Sequence, residues 1–265
     1  TVKVITPSES PRFLSWMSGN EDVIEFSHRN AALAAQTVAA ADVIFCLDFN
    51  SLARLHDLEP IIRNATAPKI MIDHHYHPDD FAVIAISEPT AAATAQMIYQ
   101  IIGDLEVKDL LDIRIGECLY ACLMTATGSF RHPRTNPAVH RMAAELIELG
   151  VNTNRIHRLI FDNNSLTRMQ FLGYVLSQKL IVLPEYKAAY VALTNIELKR
   201  HISLTSDTVG VVNHIISIEN VVLSVLLFES DLYVNLSLLY VGVVFVYVLV
   251  SYHFLSAINR ISDGS

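Results

Sequence analysis

The chain has 265 residues, enough for one large domain or two of ordinary size. Its formal net charge is −8 at pH 7, which argues against a basic surface that binds long nucleic acid through its phosphates. A small phosphorylated substrate held by a metal ion remains compatible with this charge, because the ion supplies the positive charge.

The first half of the chain alternates predicted strands with predicted helices. Short apolar runs bounded by polar residues predict buried strands, and helices are predicted between them. The strands are expected at 1–6, 42–48, 69–72 and 82–86, and the helices at 30–40, 52–63, 90–102 and 107–124. Strand, helix and strand at this spacing favour a right-handed parallel unit. The pattern therefore predicts an α/β fold, a doubly wound and mostly parallel sheet with helices on both faces.

The character of the sequence changes near residue 183. Before it, Asn136-Pro137 predicts a helix start and Gly150 its end, and further helices are expected at 153–161 and 165–179. After it, strands are expected at 181–183, 188–194, 221–228 and 234–239, which predicts a smaller mixed sheet. We therefore predict two domains, 1–182 with a connector helix and 183–265, the second closing over a cleft in the first.

Three features bear on location. Residues 236–255 carry no charged side chain and have the length of a membrane span. They are, however, rich in Val, Tyr and Phe, and the segment before them alternates like a strand, so a membrane-attached protein is only an alternative. Cys46, Cys118 and Cys122 lack metal-ligand spacing, which favours free thiols in a reducing compartment. No charged leader followed by an apolar core begins the sequence, so we expect a cytoplasmic protein.

The stretch 69–77 combines an apolar run with one carboxylate and three imidazoles. Asp73, His74 and His75 would lie at the carboxyl end of a buried strand, and Asp48 ends the strand before it. This edge of an α/β sheet is where ligands bind, and Asp with His offers oxygen and nitrogen ligands to a divalent metal. A polar turn that caps backbone groups is the alternative, but three histidines and an aspartate within five positions favour a site.

The ordered set of motifs resembles the DHH phosphoesterase superfamily. Asp73-His74-His75 follows a buried strand, and an Asp-ended strand lies 25 residues upstream. The stretch from residue 2 to about 194 is most similar to the bacterial oligoribonuclease (nano-RNase) and pAp phosphatase branch. Further matching marks are the segment 47–50, the pattern Thr-x-Thr-Gly-Ser-Phe-Arg-His at 125–132 and the region 195–198.

This resemblance implies a metal-dependent phosphodiesterase or exonuclease. Two divalent ions, usually manganese, are expected, with Asp48 as the bridging carboxylate and His74 as a ligand of one ion. His75 is expected beside them, as a catalytic residue that assists the substrate phosphate or the metal. Asp73 is expected in the metal site, with a supporting role that orients an imidazole. The implied substrates are short RNA oligomers or nucleotides such as pAp, and not long nucleic acid.

Arg131 and His132 follow the small-residue turn at 125–130 and are candidate substrate contacts. A guanidinium fork suits a terminal phosphate, and an imidazole can contact phosphate or base. Ordinary solvated loop residues are the alternative interpretation.

Three departures from the family pattern leave other functions open. The first motif of the family, His-x-x-x-Asp-x-Asp, is expected before Val2 and is absent, and Ala126 stands where the family has a ligating Asp. The Arg-Ser pair and Gly-Gly-Gly-His loop of the family correspond to Leu239-Tyr240 and to 252–257. These losses predict a weakly held dinuclear centre. Open alternatives are a catalytically inactive nucleotide-binding member, and hydrolysis of cyclic dinucleotides or pyrophosphate. A homodimer is also left open.

Overall fold

The computed structural model describes residues 1–201, 208, 210–229 and 234–240. It divides into two compact units, Thr1–Asn163 and Asn164–Ser265. The strands and helices of the first unit are β1 (Ile5–Thr6), β2 (Ile24–Glu25), α1 (Ala31–Ala39), β3 (Ile44–Leu47), α2 (Glu59–Arg63), β4 (Lys69–Asp73), β5 (Ile84–Ser87), α3 (Thr94–Asp104), α4 (Ile113–Ala126), α5 (Pro137–Glu148) and α6 (Thr153–Phe161). Those of the second are α7 (Leu166–Tyr174), β6 (Leu180–Leu183), β7 (Ala188–Leu193), α8 (Asn195–His201), α9 (Val211–Ile215), β8 (Leu223–Glu229) and β9 (Val234–Tyr240).

The predicted parallel unit around β3 and β4 is confirmed. The strands form a three-stranded parallel sheet in the order β3-β4-β5, with Leu47 opposite Ile72. The backbone N–H of Asp48 donates to the carbonyl of Ile72 at 3.1 Å, so the two strands end side by side. Helices cover both faces: Ile44 packs in a cluster with residues of α1 and α2, whereas Ile70 and Ile72 pack against α3. The α/β fold expected from the sequence is therefore correct.

Several predicted element boundaries differ from those observed. The helix expected at 52–63 is a 3₁₀ segment, Leu52–Leu58, followed by the short α2, because His56 has the non-helical dihedrals φ 49° and ψ −123°. The helix expected from 107 begins at Ile113, where the Asp112 side chain accepts a hydrogen bond from the N–H of Ile115 at 2.9 Å. A capping carboxylate there supplies a partner for the first turn, so the helix starts after it.

The first predicted strand lies outside the main sheet. Only Ile5–Thr6 is extended and paired, and its partner is β2 in a separate two-stranded parallel sheet. The helix expected at 90–102 begins at Thr94. In contrast, α5 starts at Pro137 as predicted, since the side chain of Asn136 accepts from the N–H groups of residues 138 and 139.

The second unit contains the expected mixed sheet. Its order is β6-β7-β8-β9, with an antiparallel, a parallel and an antiparallel pairing. The observed division after Asn163 precedes the boundary predicted at 183, because Phe171 and Val175 pack into the same apolar core as Val191 and Leu226. The connector helix α7 thus belongs to the second unit, and the short helices α8 and α9 were not predicted.

The candidate membrane stretch 236–255 lies only partly within the described residues. Its first five positions belong to β9, and the rest, like the predicted loop at 252–257, lies outside them. None of the helices in the described part of the chain has the length and apolar character needed to cross a bilayer.

Candidate metal centre

Three predicted site residues converge at the carboxyl edge of the parallel sheet. Asp48, His74 and His75 each offer one ligand atom, and these atoms lie within 4.8 Å of one another. Asp48 follows β3 directly, and the two histidines follow β4, so the side-by-side ends of these strands bring the groups together. One carboxylate oxygen and two imidazole nitrogens form a donor set that suits a divalent transition metal.

The imidazole of His74 has one nitrogen fixed by the backbone. Its Nδ1 lies 3.0 Å from the carbonyl oxygen of Ala91, and a carbonyl can only accept, so Nδ1 carries the proton and donates. The Nε2 lone pair then remains available, and Nε2 lies 3.5 Å from Oδ1 of Asp48. The side chain of His74 is 15% exposed. This backbone hydrogen bond sets the tautomer that a metal ligand requires.

Asp73 accepts a hydrogen bond from Nδ1 of His75, as the Ala91 carbonyl does from Nδ1 of His74. Its Oδ1 lies 2.6 Å from Nδ1 of His75, and its Oδ2 accepts from the backbone N–H of His75 at 2.8 Å. Asp73 is fully buried, with 0% exposure. Both oxygens of Asp73 face His75, and Asp73 is not in the ligand group of Asp48, His74 and His75. A role for Asp73 as a direct metal ligand, or as a support that orients an imidazole, therefore stays a prediction.

Asp48 itself sits on a strained piece of backbone. Its φ is 66°, in the left-handed region that non-glycine residues seldom adopt. The hydroxyl of Thr94, in the first turn of α3, donates to Oδ1 of Asp48 at 2.6 Å. The Asp48 side chain is 61% exposed. Its carboxylate is therefore oriented by a neighbour and open to solvent, as a ligand for an incoming ion would be.

The turn after α4 has an unusual left-handed conformation. Gly128, Ser129 and Phe130 have φ values of 56°, 59° and 64°. A Cβ on Gly128 would clash with the imidazole of His132 unless that ring moved, and the positive φ also favours glycine there. Nδ1 of His132 lies 3.1 Å from the Ala126 carbonyl, and Nε of Arg131 donates to the Gly128 carbonyl at 2.8 Å. Both predicted substrate contacts are exposed and are partly engaged within their own turn, and their substrate roles remain predictions.

Helix α4 passes close to the candidate centre. Burial raises the pKa of the Cys122 thiol, and the negative charge of Asp48 raises it further. Ala126 lies one turn beyond Cys122 on the same helix and is exposed. A carboxylate at position 126 would therefore lie on the helix that borders Asp48.

All three cysteines are free thiols, as expected. Burial raises the pKa of Cys46 to about 11, and the thiol remains protonated at neutral pH. Burial likewise raises the pKa of Cys118. Their environments fit inert side chains.

The roles of three further residues near the centre were not predicted from the sequence, although one of them, Asn50, lies in the matching segment 47–50. Thr94 orients Asp48, as described above. Asn50 donates from Nδ2 to the carbonyl of Tyr76 at 2.6 Å and accepts from the N–H of Asp79 at 2.8 Å, so it fixes the loop after the histidines. Arg134 lies with NH1 3.5 Å from Nδ1 of His74. No local signal predicts these contacts, since each joins positions distant in sequence.

The fold and site define an α/β protein with an Asp-His-His centre at the carboxyl edge of its parallel sheet. Residues 2–127, which include every member of that centre, match the DHH family, N-terminal domain. A crystal structure of an exopolyphosphatase-related protein from Bacteroides fragilis superposes with a TM-score of 0.89 and 33% sequence identity, over 95% of this chain and 73% of that one. The chain belongs to the DHH family of phosphoesterases.

Curated relatives carry more specific names. The bifunctional oligoribonuclease and PAP phosphatase NrnA of Thermus thermophilus is 38% identical over 109 residues, or 41% of this chain and 32% of that protein. The protein of the same name from Bacillus subtilis is 25% identical over 200 residues, or 74% of this chain and 61% of that protein. The chain thus spans less than two thirds of the length of either relative.

Proposed function

We propose that this chain is a metal-dependent phosphoesterase that hydrolyses short oligoribonucleotides to mononucleotides and removes the 3′-phosphate of pAp. The observation that carries the proposal is the convergence of Asp48, His74 and His75, with Nδ1 of each histidine held by an acceptor so that its Nε2 lone pair stays available. The names of the Thermus and Bacillus relatives supply the substrate class. The net charge of −8 agrees with short substrates, which need no long basic track.

The donor set fits a divalent metal ion. Asp48, His74 and His75 would hold it, and the family resemblance makes manganese the expected ion and two the expected number. Among the described residues these three form the grouped ligand set, and the family resemblance makes Asp48 the carboxylate that a second ion would share. Divalent ions in such sites lower the pKa of water and neutralise charge on phosphate oxygens.

The protein's own contribution is orientation. The Ala91 carbonyl and the Asp73 carboxylate hold protons on the Nδ1 atoms of His74 and His75, which leaves both Nε2 lone pairs available to an ion. Thr94 holds one oxygen of Asp48, and burial of Asp73 excludes water from the support behind the imidazoles. The ligand atoms are therefore in place before any ion arrives, which lowers the entropy cost of binding.

The test uses a labelled dinucleotide and pAp with Mn²⁺. Wild-type chain should release mononucleotides and AMP, the variant His74→Ala should lose turnover, and the matched surface variant His28→Ala should retain it. Cyclic di-AMP and pyrophosphate, assayed side by side, separate the rival hydrolase activities. Wild-type chain that leaves the dinucleotide and pAp intact contradicts the proposal.

A catalytically inactive nucleotide-binding protein is the second candidate, and Ala126 favours it. This exposed alanine stands where the family resemblance places a ligating Asp, so one charge that would hold an ion is missing. Isothermal titration with pAp, with and without Mn²⁺, distinguishes the two. Metal-independent binding without turnover supports the inactive protein.

A further inference from the structure

Arg134 is an exposed cation beside the candidate centre. Its guanidinium carbon lies 5.5 Å from the centre of the Tyr76 ring, and its NH1 lies 3.5 Å from Nδ1 of His74. Among the described residues, none of the ion pairs includes Arg134. A carboxylate partner in that part of the chain therefore does not explain its position.

The approach of Arg134 to His74 is not a satisfied hydrogen bond. Nδ1 of His74 donates to the Ala91 carbonyl at 3.0 Å, so two donors face one another across 3.5 Å. A guanidinium stays charged at all ordinary pH values and cannot accept a hydrogen bond. A donor-rich, positively charged position of this kind is stabilised when an anion binds between or beside the donors.

Two contacts fix the position of the Arg134 side chain before a ligand binds. The Tyr76 ring lies under the guanidinium at a cation–π distance, and Tyr76 is 60% exposed. The backbone of Tyr76 is in turn fixed by Asn50, whose Nδ2 donates to the Tyr76 carbonyl at 2.6 Å. The guanidinium of Arg134 therefore packs on an aromatic ring whose backbone is fixed by a hydrogen bond. Because the side chain is already positioned, less side-chain entropy is lost when a ligand binds.

The side of His74 on which Arg134 lies indicates which part of a substrate it meets. Nε2 of His74 faces Asp48, whereas Arg134 approaches the Nδ1 side of the same ring. A phosphate at the ligand atoms would lie on the Asp48 side. Arg134 is therefore placed for a different anionic group of the same molecule.

We propose that Arg134, supported by Tyr76, binds a second phosphate of the substrate and so selects nucleotides that carry two phosphates. Such substrates are pAp and 5′-phosphorylated dinucleotides. This inference rests on the proposed function for its substrate class. It gives Arg134 the role of a specificity residue, while Tyr76 and Asn50 are positioning residues.

The test measures binding and turnover separately. For binding, pAp is titrated into the chain in EDTA, with wild type, Arg134→Ala, Arg134→Lys and the exposed helix-surface control Arg141→Ala. A lost charge-assisted fork should weaken pAp binding about 10- to 100-fold in Arg134→Ala. Lysine keeps the charge but not the fork, so Arg134→Lys should recover part of the affinity, and Arg141→Ala should match wild type.

For turnover, Arg134→Ala should raise KM for pAp with Mn²⁺ more than it lowers kcat. Its kcat/KM for bis(p-nitrophenyl) phosphate, which has a single phosphate, should fall at least about tenfold less than that for pAp. Tyr76→Ala should act in the same direction, and combining it with Arg134→Ala should add little, since both changes disable one element.

The outcomes separate this inference from the proposed function. Wild-type chain without turnover of pAp counts against the function, whereas the titration in EDTA still decides the role of Arg134. Equal pAp affinity of wild type and Arg134→Ala overturns the inference, as does an equal loss of kcat/KM for the one-phosphate and two-phosphate substrates.

Discussion

Replacing Asp73 by Asn tests how the candidate centre is held together. The buried carboxylate accepts two hydrogen bonds from His75, from Nδ1 at 2.6 Å and from the backbone N–H at 2.8 Å. An amide has only one oxygen, so it can satisfy only one of these donors. The NH₂ group must then face the other donor at 0% exposure, or His75 must change its tautomer.

Each arrangement has a measurable cost. If the amide oxygen takes the backbone N–H, the proton of His75 moves to Nε2 and removes the lone pair that a metal requires. If it takes Nδ1, the buried N–H is left without an acceptor. Loss of a buried hydrogen bond to an ionised group should lower the free energy of unfolding by about 2 kcal/mol. Loss of the support behind a histidine ligand should weaken metal affinity about 10- to 100-fold.

The assay is a Mn²⁺ titration together with urea unfolding followed by circular dichroism. The matched control is Asp80→Asn, which removes one charge from an exposed residue on the same loop. We expect Asp80→Asn to behave as wild type and Asp73→Asn to show both losses. If Asp73→Asn binds Mn²⁺ within about twofold of the control, the hydrogen bonds of Asp73 do not set the ligand geometry of His75 and the reasoning is wrong.

Three other predictions concern acid stability, helix packing and position 126. Burial opposes ionisation of Glu197, but hydrogen bonds from Lys179, Thr194 and Tyr174 outweigh it and lower its pKa to about 2 from 4.5. Because this pKa is depressed in the folded state, ionised Glu197 stabilises the fold fully above about pH 4.5, and the stabilisation is lost as the pH falls towards 2. The difference in unfolding free energy between wild type and Glu197→Gln should be on the order of 2 kcal/mol at pH 7. In urea unfolding this difference should shrink between pH 4.5 and 2, and a constant difference would contradict the prediction. Gly116→Ala should destabilise the chain by about 1–3 kcal/mol, because the new Cβ would lie 2.9 Å from Val151 and 3.0 Å from Leu149. Gly173→Ala, whose Cβ would meet no atom of the described residues within 4 Å, should instead stabilise α7 by up to about 1 kcal/mol; thermal unfolding of the two variants decides. Ala126→Asp should raise Mn²⁺ affinity by about tenfold, a gain of ~1.4 kcal/mol, since it adds a carboxylate to the helix bordering Asp48, and an unchanged titration would remove position 126 from the centre.

Much of the candidate centre could be predicted from the sequence, because its residues lie at the ends of neighbouring strands. A buried strand ending in Asp48 and another ending in Asp73-His74-His75, joined by a crossover, predict parallel pairing and one shared edge. The register Leu47 to Ile72 brings those ends together as expected. Some helix N-caps could also be predicted from the sequence, as the start of α5 after Asn136 illustrates.

Other features depended on contacts that no local pattern encodes. The first predicted strand pairs with β2 outside the main sheet, whereas the start of α4 at Ile113 follows from a local cap, Asp112, that the sequence prediction missed. The second unit includes α7 because Phe171 packs into its core, a choice made by tertiary burial. Periodicity alone does not say which neighbouring core an amphipathic helix will join.

The sequence by itself determined the parallel strands, the family pattern and the convergence of a carboxylate with two imidazoles. Only the tertiary structure decided which nitrogen each histidine presents, because that depends on Ala91 and Asp73 as acceptors on the other side of each ring. The same holds for Arg134, which reaches His74 from 60 positions away. Residue types at strand ends follow from local sequence, but hydrogen-bond partners and neighbouring charges follow from chain folding that joins distant segments.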